Sequence, residues 1–239
     1  MKVTVFESKK ELYQQAAKLI IDKVKAKPNI HLGLATGSTP VPLYQALIND
    51  HKMNQTSYKQ VVSFNLDEYT NLDRNHPQSY YTFMKNQLFD FIDIKQSYLP
   101  NGNASDLGKE AQSYTDLLKK EGIDIQVLGL GSNGHIGFNE PHTPFESTTH
   151  IVTLDEKTRK DNARFFDNDL TKVPKQAITM GIKNIMEAKE IILIVTGKNK
   201  AEAVFKMLKG PVTEQLPASI LQNHPCVMIY LDQDAASLL

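Results

Sequence analysis

Three segments place reactive side chains at the ends of apolar runs. The densest is Leu128-Gly129-Leu130-Gly131-Ser132-Asn133-Gly134-His135-Ile136-Gly137-Phe138-Asn139-Glu140-Pro141. It presents His135 and Glu140 from a glycine-rich loop. An imidazole titrates near neutral pH, and a neighbouring carboxylate can orient its ring and stabilise its charged form. The literal G-x-G-x-x-G match from Gly129 to Gly134 is not a dinucleotide site, because that fingerprint must open a helix. Gly137, Pro141 and Pro144 prevent a regular helix there. A metal reading of His135, Glu140 and His142 is open, but no further ligand stands at a recognised spacing. A structural glycine turn around a satisfied histidine is the plainer alternative. The density of Gly, Asn, His and Glu favours a functional loop.

The second segment is Phe64-Asn65-Leu66-Asp67-Glu68-Tyr69. In a β-like stretch the two carboxylates point opposite ways, so one of them faces a cleft. A carboxylate shielded from water has a raised pKa and can serve as a general base near neutrality. A solvated turn after a strand explains the same residues, and alone it explains them better. The third segment is Leu34-Ala35-Thr36-Gly37-Ser38-Thr39-Pro40. Gly37 lets backbone approach a ligand, and Ser38 and Thr39 supply hydroxyls. A following helix would aim free N–H groups at the same spot, which suits phosphate. The pattern lacks the lysine of a nucleotide P-loop. It serves equally as an ordinary turn with a Ser or Thr N-cap. Lys200, at a helix start, opposes the helix dipole and so hints at an anionic partner. Arg164, on a polar helix, is by itself a solvated cation.

These residues need elements to position them. Apolar runs of strand length are Lys2–Phe6, Ile30–Ala35, Val61–Leu66, Ile123–Leu130, Ile151–Leu154, Ile191–Val195 and Cys226–Leu231. Several are continuous rather than alternating, as strands covered on both faces are. Helical spacing occupies Ser8–Lys27, where Ser8 and Glu11 make a capping box, and also Thr39–Asp50, Tyr80–Phe89, Lys109–Lys120, Lys157–Phe166 and Lys198–Lys209. Gly210-Pro211 stops the last. Asn71–Ser79 and Gly137–Thr149 read as polar loops. The alternation predicts an open α/β fold: a mostly parallel, doubly wound (Rossmann-like) sheet with helices on both faces, in one domain over residues 1–239. Ligands in such sheets sit beyond the carboxyl ends of the strands.

Composition excludes other classes. The chain of 239 residues balances 27 Lys+Arg against 27 Asp+Glu, which argues against a nucleic-acid binder. A single cysteine, Cys226, forms no internal disulfide and reads as a buried small hydrophobe. Apolar runs are too short to span a bilayer, and the N-terminus turns polar at once. The expectation is a cytoplasmic protein acting on a small molecule.

Together and in this order, the three segments, Thr158-Arg159-Lys160-Asp161-Asn162-Ala163-Arg164-Phe165-Phe166 and Gly197-Lys198-Asn199-Lys200-Ala201 resemble the glucosamine-6-phosphate deaminase family over nearly the whole chain. The resemblance implies conversion of glucosamine 6-phosphate and water to fructose 6-phosphate and ammonium, with neither metal nor organic cofactor. It implies that Asp67 is the base that moves a proton from C2 to C1, that His135 opens the pyranose ring, and that Glu140 is its carboxylate partner. Thr36, Gly37, Ser38, Thr39, Arg164 and Lys200 would hold the phosphate. Some members carry Asp where this chain has Asn133. An Asn cannot ionise, but it can hold the imidazole or a sugar hydroxyl by hydrogen bonds.

Two alternatives stand beside that reading. A 6-phosphogluconolactonase resembles this family in fold, but ester hydrolysis needs no C2 base. A non-catalytic sugar-phosphate sensor would carry a DNA-binding element, and no basic helix-turn-helix precedes residue 2. Allosteric members resemble the chain but continue beyond its end, and they place Arg and Lys in the segment matching Ser147–Thr153, which here offers no permanent cation. The resemblance therefore implies hyperbolic kinetics, no activation by N-acetylglucosamine 6-phosphate, and a monomer or small homo-oligomer rather than a regulated hexamer.

Overall fold

The structure is a computed structural model that describes residues 1–239, the side chain of Asp161 excepted. Its strands are β1 (Lys2–Phe6), β2 (His31–Leu34), β3 (Val62–Asn65), β4 (Asp67–Tyr69), β5 (Gln96–Tyr98), β6 (Ile125–Gly129), β7 (His150–Thr153), β8 (Gln176–Thr179), β9 (Glu190–Val195) and β10 (Val227–Asp232). Its α-helices are α1 (Lys9–Ala26), α2 (Val41–Asn54), α3 (Tyr80–Met84), α4 (Leu107–Glu121), α5 (Glu156–Ala163), α6 (Ile182–Met186) and α7 (Ala201–Lys209).

Seven strands form one sheet in the order β1-β10-β9-β6-β2-β3-β5. Every pairing in it is parallel. The side chains explain why both faces are covered. In β9, Ile192 and Ile194 turn to one face and Ile191, Leu193 and Val195 to the other. The first set packs with α1 and α2, through residues such as Ile20, Val24, Leu43 and Leu47. The second packs with α4, α6 and α7, through Leu118, Ile185, Val204 and Met207. Period-2 alternation with apolar groups on both sides is what a doubly wound sheet requires. Ser8 caps α1, its Oγ accepting from the Glu11 N–H at 3.1 Å.

After β2 the chain proceeds outward to β3 and β5. It then returns to lay β6 on the other side of β2. The strand order therefore reverses between β2 and β6. Loops leaving two such strands diverge and open a crevice.

A second, smaller sheet joins β4, β8 and β7 antiparallel. It puts the Ile151–Leu154 run outside the parallel sheet. The chain steps directly from β3 to β4 across Leu66, whose N–H bonds to Leu34 O and whose carbonyl accepts from Met180 N. Asp67 is thereby fixed between the two sheets. Tyr69, Phe138, Phe166 and Ala177 form a separate apolar cluster beside this small sheet. Cys226 is half-buried just before β10, less enclosed than its apolar run suggests. No helix among the described residues is long and apolar enough to cross a membrane.

Candidate active site

A cleft of about 350 Å³ opens at the carboxyl ends of β2, β3, β6 and β9. It brings together Thr36, Gly37, Ser38, Thr39, Asp67, His135, Arg164 and Lys200 from five separate stretches of chain. Glu140 and Asn133 stand behind His135 and reach the cleft through it.

Asp67 and Glu68 diverge as adjacent β residues must. Asp67 lines the cleft at 5% exposure. Glu68 turns to the start of α3, where it accepts from the N–H groups of Tyr80 at 2.8 Å and Tyr81 at 2.9 Å. Both carboxylates are buried, so the solvated-turn reading fails. Burial pushes the Asp67 pKa up to about 8, the Glu68 charge adds to the rise, and the Thr36 hydroxyl at 3.5 Å opposes it.

His135 and Glu140 sit on an irregular loop with no helix between β6 and β7. The His135 ring lies flat enough on the chain that a Cβ at Gly131 would come within 2.5 Å of it. Gly137, at φ +58°, turns the loop beside Asp67. Glu140 Oε2 accepts from Asn133 Nδ2 at 2.7 Å and meets His135 Nδ1 at 3.3 Å. Its Oε1 accepts from Thr158 Oγ1 at 2.5 Å. Burial alone would raise the Glu140 pKa. The hydrogen bond and charge of His135, with Thr158 and Asn133, outweigh it and hold the carboxyl below its ordinary value. Asn133 also accepts from the His135 N–H at 3.2 Å, so it orders the loop from both ends of its amide.

The opposite wall carries the cations. Gly37 takes φ +96°, and Ser38–Pro40 make a turn, so α2 starts at Val41, two residues later than the spacing suggests. Pro42 accounts for the delay: a helix begun at Thr39 would need its N–H to reach Ser38 O, and the first such bond is instead Tyr44 N–H to Pro40 O. The fully buried Tyr44 pins the end of β2 by donating to Ala35 O at 2.5 Å. Arg164 follows α5 at its C-cap and donates to Ser38 Oγ at 3.2 Å. Lys200 is the N-cap of α7 and lines the cleft. The preceding Gly197 is held by its N–H to both oxygens of Asp232, at 3.0 Å each.

Tyr80, Thr158, Asn162, Thr196 and Asn199 also line the cleft, and sequence reasoning missed them. A signal existed for two. Thr158 and Asn162 are one helical turn apart on α5, which puts them on one face. Among the described residues, no group of three or more His, Cys, Asp or Glu side chains is placed to hold a metal.

A doubly wound sheet whose switch-point cleft gathers a buried carboxylate, a histidine backed by a carboxylate, and two cations beside a Gly-Ser-Thr turn has the arrangement of an α/β enzyme for a small substrate. Comparisons narrow the class. Residues 7–229 match the family model described as glucosamine-6-phosphate isomerases/6-phosphogluconolactonase. The glucosamine-6-phosphate deaminase of Halalkalibacterium halodurans is 53% identical over 238 residues, 98% of this chain and 96% of that one. That of Streptococcus thermophilus is 55% identical over 208 residues, 87% of each. A solved structure of a monomeric glucosamine-6-phosphate deaminase superposes with a TM-score of 0.98 at 47% identity, covering 100% of both chains. The 6-phosphogluconolactonase from Trypanosoma cruzi shares the fold alone, at 22% identity and a TM-score of 0.76 over 100% of this chain and 96% of that one. This chain belongs to the glucosamine-6-phosphate isomerase/6-phosphogluconolactonase family.

Proposed function

We infer that the chain is a deaminase that converts glucosamine 6-phosphate and water to fructose 6-phosphate and ammonium. The steps assign themselves by chemistry. His135, backed by Glu140 and Asn133, moves the proton that opens the pyranose to the open-chain aldehyde. Asp67 takes the C2 proton, giving an enolamine, and returns a proton to C1, which leaves an imine at C2. Water adds to the imine carbon and ammonium departs. Thr36, Gly37, Ser38, Thr39, Arg164 and Lys200 bind the phosphate and so orient the sugar without taking part in the reaction. Charge-assisted bonds from Arg and Lys suit a dianion.

Asp67 is the observation that carries this reading over lactone hydrolysis. A buried carboxylate facing the cleft, with its pKa raised to about 8, is a base placed for C–H abstraction, whereas lactone hydrolysis can use a base to activate water but needs none at C2. The test is ammonium release from glucosamine 6-phosphate beside hydrolysis of 6-phosphogluconolactone. Ammonium release with little lactone hydrolysis supports the deaminase, and the reverse pattern refutes it.

We also propose action as a cytoplasmic monomer or small homo-oligomer with hyperbolic kinetics. The segment 147–153 lacks Arg and Lys, and the nearby Lys183, bonded through its backbone to Ser147, is already paired with Glu146 at 2.7 Å. A dianionic effector finds no uncommitted cation there.

A further inference from the structure

Glu140 receives its hydrogen bonds from two different elements. Asn133 and His135 belong to its own loop and share Oε2, whereas Thr158 comes from α5 and takes Oε1. We propose that Thr158 is a positioning residue for ring opening: its hydroxyl holds Glu140 ionised and turned so that Oε2 meets His135. The proposal rests on the deaminase reading.

The terminal torsion of a Glu side chain is broad and roughly two-fold. Two donors on one oxygen leave the other to be satisfied, and at 6% exposure water is not there to do it. Thr158, 5% exposed, supplies that donor. A helical Thr usually bonds back to its own helix, but this hydroxyl spans to another element instead. The same helix donates from Asn162 to the Tyr69 hydroxyl at 3.0 Å, and Arg164 at its end reaches Ser38. Docking of α5 thus brings the Glu140 donor into place along with the phosphate ligand.

Other charges do not substitute for the hydroxyl. On α5, Lys160 pairs with Glu156 and Arg159 donates to Leu170 O and Val173 O. Arg164 is committed to Ser38, and Lys157 lies towards Glu202. From the loop, His135 faces Glu140, and Asp67 on β4 lines the same cleft as the imidazole.

Thr158→Val keeps the shape and deletes the donor. Without it the carboxylate is less stabilised and holds the imidazole proton more tightly, so the ionisations of the pair move to higher pH. We expect kcat for ammonium release to fall about 10-fold with KM little changed, and the limb of the pH profile due to the pair to rise by about 0.5–1 unit. Proton exchange at C2 of an open-chain analogue blocked at O4 and O5 should survive, because Asp67 is untouched. Thr158→Ser should restore both rate and pH limb. Thr158→Ala gives the same comparison if the Val variant does not fold. An unshifted profile with wild-type kcat overturns the proposal. So does an equal loss in C2 exchange, or a Ser variant no better than Val. A wild type that releases no ammonium sinks the deaminase reading itself, a different result from either.

Discussion

Asp67 and Glu140 are almost equally enclosed, at 5% and 6% exposure, in one active-site region. Their pKa values move in opposite directions. Asp67 has one distant donor, Thr36 at 3.5 Å, and a like-charged neighbour, Glu68, so desolvation prevails and its carboxyl titrates near about 8. Glu140 has desolvation of its own but three side-chain partners, the His135 imidazole, Thr158 and Asn133, so it stays below the ordinary range. Burial therefore does not set the role of a buried carboxylate; the partners around it do. In the mechanism we propose, the first group is the base for carbon acid chemistry and the second a fixed anion behind an imidazole. Such a split between neighbouring titratable groups is how acid and base work are divided in one cleft.

The strongest way to break the comparison is Asp67→Asn. Turnover should fall by about 10²–10⁴-fold or more, while a phosphosugar analogue still binds. The same change should raise stability. The folded pKa of Asp67 lies above its ordinary value of 3.8, so between there and about 8 the folded chain holds more protons than the unfolded one. Stability from this group is thus lost as pH rises through that window. The Asn variant should melt higher than wild type at pH 8, with the gap closing as pH falls towards 3.8. Wild-type kcat/KM, which needs the ionised base, should climb with pH towards a midpoint near about 8.

Smaller effects sharpen it. His135→Gln should cost about 10²-fold on the cyclic substrate and much less on C2 exchange in an open-chain analogue. Arg164→Ala and Lys200→Ala should each weaken phosphosugar binding by about 1.5–3 kcal/mol and leave unphosphorylated glucosamine nearly unaffected, as titration calorimetry would read. Thr36→Val removes a long hydrogen bond and should move the Asp67 limb of the pH profile up by no more than about 0.5 unit.

Much of this geometry was legible in the residues. Continuous apolar runs marked β2, β3, β6, β9 and β10 because both faces of those strands are packed. Glycine and histidine density marked the loop after β6. The divergence of Asp67 and Glu68 follows from β geometry alone. Elements held by tertiary pairing escaped. β4 and β5 are three residues long, too short for any period, and β8 is recognised only by its pairing to β4 and β7. The helix read over Tyr80–Phe89 is α for one turn and then widens to a π turn at Lys85–Phe89, which side-chain spacing does not distinguish. The partners of Glu140 include Thr158, a neutral residue whose importance lies wholly in what it touches.

The division of labour between the two carboxylates is tested most directly by solvent-deuterium exchange at C2 of the open-chain analogue, measured side by side in Asp67→Asn and Glu140→Gln. The account predicts that Asp67→Asn loses exchange while Glu140→Gln retains it and loses only turnover of the cyclic sugar. Equal loss of exchange in both variants would contradict it.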